Sequence, residues 1–210
     1  MRFFNTAGPT IPEDHYHIDP LKRVAWQDIS TLIDNKRYFL LHAPRQTGKT
    51  SLLLAMMETI NQQDQYACVY TNIEAAQAAR YDVDSGVAAI TSAIARAINL
   101  YLEDARMVEW LESQRVKGAS SKDLITAMLE HWTKITSKPT VLFLDEVDAL
   151  VGDVLVSLLR QIRAGYDSRP ENFPHALILC GVRDIQDYRI HTKDKEIITG
   201  GSAFNIKAKS

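Results

Sequence analysis

Two rhythms of apolar residues alternate along the 210-residue chain. Short, nearly continuous apolar runs occur at 37–42 (RYFLLH), 66–73 (YACVYTNI), 140–146 (TVLFLDE) and 175–182 (HALILCGV). Runs of this length, rich in β-branched and aromatic residues, predict strands buried on both faces. Between them the apolar residues return every three or four positions, the period of an amphipathic helix. Leu21, Val24, Ala25, Ile29, Leu32 and Ile33 predict a helix beginning at Pro20, with Asp19 as its cap. Leu52, Met56 and Ile60 mark a helix over 49–62, and Ile90, Ile94, Ile98 and Leu102 mark one over 85–102. Leu124, Met128, Trp132 and Ile135 mark a helix over 121–135, for which Ser120 and Asp123 form a capping-box-like start. Leu155, Leu158, Leu159 and Ile162 define the last, over 153–163. Residues 1–13 show no period and read as an extended arm, while 191–210, with two adjacent glycines, read as mostly loop.

Strands that alternate with helices predict an α/β fold, a three-layer α/β/α sandwich around a mainly parallel sheet. In such sheets ligands bind beyond the carboxyl ends of the strands. One domain over 1–210 is expected, with an arm at 1–18, a core at 19–190 and a tail at 191–210.

Hydrophobic content of 46% and charged content of 24% are ordinary for a globular chain. Apolar runs fall short of the ~20 residues of a bilayer span, and the N-terminus lacks a signal-peptide pattern, so no membrane contact and a cytoplasmic location are expected. A net charge of −2 does not indicate nucleic acid as a partner. The two cysteines, Cys68 and Cys180, both sit in apolar runs and read as core residues of a reduced protein.

The richest chemistry follows the first strand. APRQTGKT at 43–50 fits the phosphate-binding pattern G-x-x-x-x-G-K-[ST] except at its first position, where Ala43 replaces glycine. In that pattern Ala43, Pro44, Arg45, Gln46, Thr47, Gly48, Lys49, Thr50 and Ser51 wrap the phosphates, with the backbone N–H groups of all but the proline available to them. Lys49 supplies a point charge on the terminal phosphates, and Thr50 offers a hydroxyl to magnesium. The loop therefore predicts ATP and Mg2+ as cofactors.

Two later strand ends complete the constellation. VLFLDEVDAL places Asp145 to hold magnesium opposite Thr50, with Glu146 beyond the metal as the base that polarises an attacking water. Arg183 follows LILCGV and is expected on the same rim, where a guanidinium stabilises charge on the transferring phosphate. Tyr16 and Ile18 precede the first helix and are candidates to flank the adenine. His15 and His17 lack a third ligand at metal-site spacing. Arg45, Arg160 and Arg163 read as solvent-facing, and His191-Thr192-Lys193-Asp194 has its aspartate one place too early for a guanine reader.

HAPRQTGKT, VLFLDEVDAL and LILCGVR, with the arm FFNTAGPT…HYHIDP, resemble the AAA-like, STAND-type P-loop ATPases of the additional-strand group, related to AAA+ proteins. The resemblance runs from about residue 3 to 189. It implies ATP and magnesium, a sheet in which the strands of the first two motifs flank the strand ending in the sensor arginine, and an arm that helps bind adenine. It further implies that nucleotide state switches a domain arrangement in a larger signalling or defence protein, through a protein partner or homo-oligomer. Alternatives are a nucleotide-gated interaction module with little turnover and a DNA-associated AAA+ ATPase. Relatives continue past the sensor into a further strand and a lid; both are expected to be missing here, leaving the core sheet unfinished.

Overall fold

In the computed structural model, which describes residues 18–182 together with 3, 4, 11, 13–16 and the backbone of 206–208, alternate strand residues enter two apolar layers. Strand β1 (Tyr38–His42) turns Tyr38 and Leu40 to one layer and Phe39 and Leu41 to the other. The same alternation holds in β2 (Ala67–Asn72), β3 (Thr140–Asp145) and β4 (Ala176–Gly181). Both faces of the sheet are thus covered, which explains why the strands read as continuous apolar runs.

Helices α1 (Trp26–Asp34) and α2 (Lys49–Gln62) cover one face through Ile29, Ile33, Leu53, Met56 and Ile60. The other face carries α3 (Val83–Leu102), α5 (Leu124–Ile135) and α6 (Gly152–Ala164), with α4 (Arg106–Val116) packed on α3. This is the expected three-layer sandwich. By length and composition alone α3 is apolar enough to cross a membrane, but its Val87, Ile90, Ile94 and Ile98 are buried in the core against the sheet.

The strand order is β2-β3-β4-β1-β5, and every pairing is parallel. β4 therefore lies between β1 and β3, as the family resemblance implies. The registers align Asn72 with Asp145 and His42 with Gly181, so these strand ends share one rim. At the outer edge Asn61 of α2 imitates a neighbouring strand: its Nδ2 donates to the Cys68 carbonyl at 2.9 Å and its Oδ1 accepts from the Cys68 N–H at 2.8 Å.

Four expectations change. The sheet has a further strand, β5 (Ile206–Ala208), paired with β1 within the tail read as loop; three residues are too few to show a period. The first helix is broken, since Pro20–Arg23 forms a 3-10 turn under the Asp19 cap and α1 begins only at Trp26. Helix α4 is an addition to the periodic pattern, since it buries only Met107 and Leu111 and has no side-chain cap. Ser120 and Asp123 do not form a capping box; α5 starts at Leu124, and its Ile125 N–H donates to the Gln161 Oε1 of α6 at 2.8 Å. Gln161 also donates to the Ser121 carbonyl and to Ser157 Oγ, both at 3.0 Å.

Candidate nucleotide and magnesium site

Residues 43–48 leave β1 at the rim and turn back into α2, whose first residue is Lys49. Gly48 stands at the turn with φ +81°, a conformation that side chains disfavour. Ala43 is not among the residues of positive φ, and its N–H donates to the Gly181 carbonyl at 3.3 Å, prolonging the β1–β4 pairing. The local backbone at position 43 therefore does not call for glycine. Gln46 takes a left-handed φ of 61°. Pro44, Arg45 and Gln46 are exposed, and Ser51 is half-buried in the first turn of α2.

Lys49 Nζ donates to the carbonyls of Ala43 at 3.0 Å and Pro44 at 3.1 Å. The ammonium thus reaches across the mouth of its own loop. Thr47 Oγ1 braces the same loop by donating to the Pro44 carbonyl at 2.8 Å. A second cation was not among the expected site residues: Arg23 Nη2 donates to the Thr47 carbonyl at 2.7 Å. Its position in the turn before α1 carries no motif that would mark it.

Arg23 and Lys49 line a cleft of about 210 Å3 with Pro20, Val24, Leu41 and Leu52. An apolar cleft walled by a cationic loop fits a flat heterocycle with a phosphate tail. Tyr16 and Ile18 are not among its lining residues; they are 56% and 73% exposed, and Tyr16 packs on Phe4 at 5.1 Å between ring centroids. The break between Pro20 and Trp26 brings the turn itself to the loop, so Pro20, Arg23 and Val24 line this cleft. His15 accepts from the Ile11 N–H at Nδ1 and lies edge-on to Phe3, a structural use of the ring. His17 and Arg183 lie outside the described residues.

Asp145 is 0% exposed at the end of β3. Its Oδ2 accepts from Thr50 Oγ1 at 2.9 Å and from the Tyr70 hydroxyl at 3.1 Å, and its Oδ1 accepts from the Glu146 N–H at 2.9 Å. These donors offset the cost of burying the carboxylate. Glu146 turns through a left-handed φ of 58°. Burial, then the charges of Asp145 and Asp148, raise its carboxyl above the ordinary range, against the opposing pull of Lys49. Burial, followed by the charge of Asp145, pushes the Cys180 thiol up, in keeping with a core role.

A hydroxyl and a carboxylate in direct contact form an all-oxygen donor set suited to a hard cation such as Mg2+. Among the described residues, no group of three or more His, Cys, Asp or Glu could hold a metal alone.

A parallel sheet that carries a phosphate loop on one strand and, two strands away, a buried aspartate followed by a half-buried glutamate defines a P-loop NTPase domain. The AAA domain family profile matches residues 33–188, and the chain belongs to that family, among the AAA+-related P-loop ATPases. No curated protein matches the sequence. Among solved structures, Cdc6p from Pyrobaculum aerophilum is similar at 21% identity and a TM-score of 0.53, over 80% of this chain and 41% of that one. PCH-2 from C. elegans matches at 16% identity and a TM-score of 0.43, over 80% and 38%. A structure of Drosophila ORC bound to poly(dA/dT) DNA and Cdc6 matches at 13% and 0.47, over 79% and 26%. The chain spans less than half the length of each of these solved chains.

Proposed function

We propose that the chain binds ATP with magnesium and hydrolyses it, and that the change of nucleotide drives a conformational switch in a signalling or defence protein of the STAND type. The observation that carries the chemistry is the 2.9 Å contact between Thr50 and Asp145, which joins the two motifs across the sheet with Glu146 beside them. The switching role rests on the family resemblance.

In this reading the cleft beside Leu41 and Leu52 takes the base, and the loop amides and Lys49 take the phosphates. Thr50 and Asp145 would hold the magnesium ion, which supplies charge neutralisation on the phosphate oxygens. Glu146 accepts a proton from the attacking water as oxygen bonds to the terminal phosphorus and the bond to ADP breaks. Arg183 is assigned to the charge that builds on the transferring group.

Glu146→Gln tests the assignment. Loss of a well-placed catalytic group commonly costs about 10²–10³ in rate, so phosphate release should fall by that order while ATP binding stays. Turnover at the wild-type rate in this variant would overturn the assignment of the base. A nucleotide-gated module would instead retain its nucleotide and show little steady-state release in the wild type.

A further inference from the structure

Asp145 has more donors than a metal ligand at a strand end requires. A carboxylate offers about four lone-pair positions; among the described residues the Glu146 N–H donates to Oδ1, the Thr50 and Tyr70 hydroxyls donate together to Oδ2, and the Cys180 thiol adds a weaker hydrogen bond to the same carboxylate. These donors are not equivalent. Thr50 is itself a candidate ligand, whose hydroxyl oxygen would be needed by the cation. Tyr70 and the Glu146 amide are not.

Tyr70 comes from β2, where it pairs in register with Phe143, two residues before Asp145 on β3. Its ring is buried in the core layer under α2, and its hydroxyl emerges at the carboxylate. A phenylalanine would fill the apolar part of that place equally well. What tyrosine adds is one O–H aimed at Oδ2.

We infer that Tyr70 is a positioning residue for the magnesium site. With the Glu146 amide on the other oxygen, it fixes the plane of the Asp145 carboxylate, so that the carboxylate keeps its orientation when Thr50 exchanges its hydrogen bond for the cation. This inference rests on the magnesium reading of Thr50 and Asp145 given above. Hydrogen-bonding partners of metal ligands typically contribute 10–100-fold to metal affinity or activity, and Tyr70 acts at the same remove from the ion.

The test is a magnesium titration of the full chain, stripped with a chelator and loaded with a fluorescent ATP analogue, in wild type, Tyr70→Phe and Asp145→Asn. Tyr70→Phe should raise the half-saturating magnesium concentration about tenfold and leave metal-free nucleotide affinity within about twofold, a split that loosened packing would not produce. Wild-type magnesium dependence in Tyr70→Phe, beside its loss in Asp145→Asn, would overturn the inference and leave the site intact. Wild-type dependence in Asp145→Asn would instead overturn the magnesium reading itself, and the inference with it. Should Tyr70→Phe not fold, Tyr70→Leu, which also lacks a donor, replaces it; a half-saturation equal to wild type with the hydroxyl gone counts against the role, and a rise counts for it.

Discussion

Arg23 lies over Gly48: a Cβ on that glycine would stand 2.8 Å from Arg23 Nη1, while Nη2 donates to the neighbouring Thr47 carbonyl. The turn before α1 and the phosphate loop are therefore built against each other. Gly48→Ala meets both this contact and the φ of +81°. Left-handed backbone costs a side chain roughly 1–2 kcal/mol, enough to displace the loop without unfolding the sheet. The expected result is a loss of ATP binding of about tenfold or more with circular dichroism unchanged, read by titration with a fluorescent ATP analogue.

Ala43→Gly restores the residue of the phosphate-binding pattern, and the structure predicts no gain from it. Ala43 has no positive φ and its N–H is already paired with Gly181. Glycine adds freedom to the unfolded chain at a cost of about 0.4–1 kcal/mol. Nucleotide affinity within about twofold of wild type and a slightly lower melting temperature are expected; tighter binding by about tenfold would show that the alanine holds the loop away from its ligand.

Gln161 is 4% exposed and ties the start of α5 to α6 through Ile125 and Ser121. Gln161→Ala leaves buried groups unpaired, at about 1–3 kcal/mol in total. For a domain of this size each kcal/mol moves the melting temperature by about 2–4 °C, so a fall of several degrees is expected. Arg160→Ala, at the exposed neighbouring position, serves as the control and should stay within about 0.5 kcal/mol of wild type.

His175 is buried beside Tyr66, and burial, helped by Lys36 and Arg169, holds its imidazole below the ordinary value. Below about 6.5, the ordinary histidine pKa, the unfolded chain takes up a proton that the folded chain resists. Its stabilising contribution is therefore full above that pH and declines on acidification towards the lowered folded value. His131, stacked on Trp110 and held down by burial, Lys134 and Arg106, acts in the same direction. Urea unfolding at about pH 7.5 and about pH 5.5 should show a smaller acid loss in His175→Gln than in wild type. An equal loss would remove His175 from the account.

The layers of the fold were legible in the sequence because burial on both faces writes itself as uninterrupted apolar runs such as YFLLH and VLFLD. The sheet order entered through family resemblance, since a run of apolar residues says nothing about its neighbours. Thr50 and Asp145 were legible as a pair because each occupies a fixed place in a motif. Arg23 and Tyr70 were not, because each is brought to the site by a long-range fold contact: Arg23 reaches Thr47 across 24 positions and Tyr70 reaches Asp145 across 75. Helix α4 and the Gln161 tie escaped for a related reason, as their stability comes from partners on other helices and not from a period or cap of their own.

The Asn61 side chain also bears on how copies of the protein meet. An outer strand offers its unpaired amides and carbonyls as a template on which another chain's strand can be added, a common route to aggregation. By occupying both backbone groups of Cys68, Asn61 withdraws one donor and one acceptor from that template. Addition of another strand along this edge is thereby obstructed at the second residue of β2.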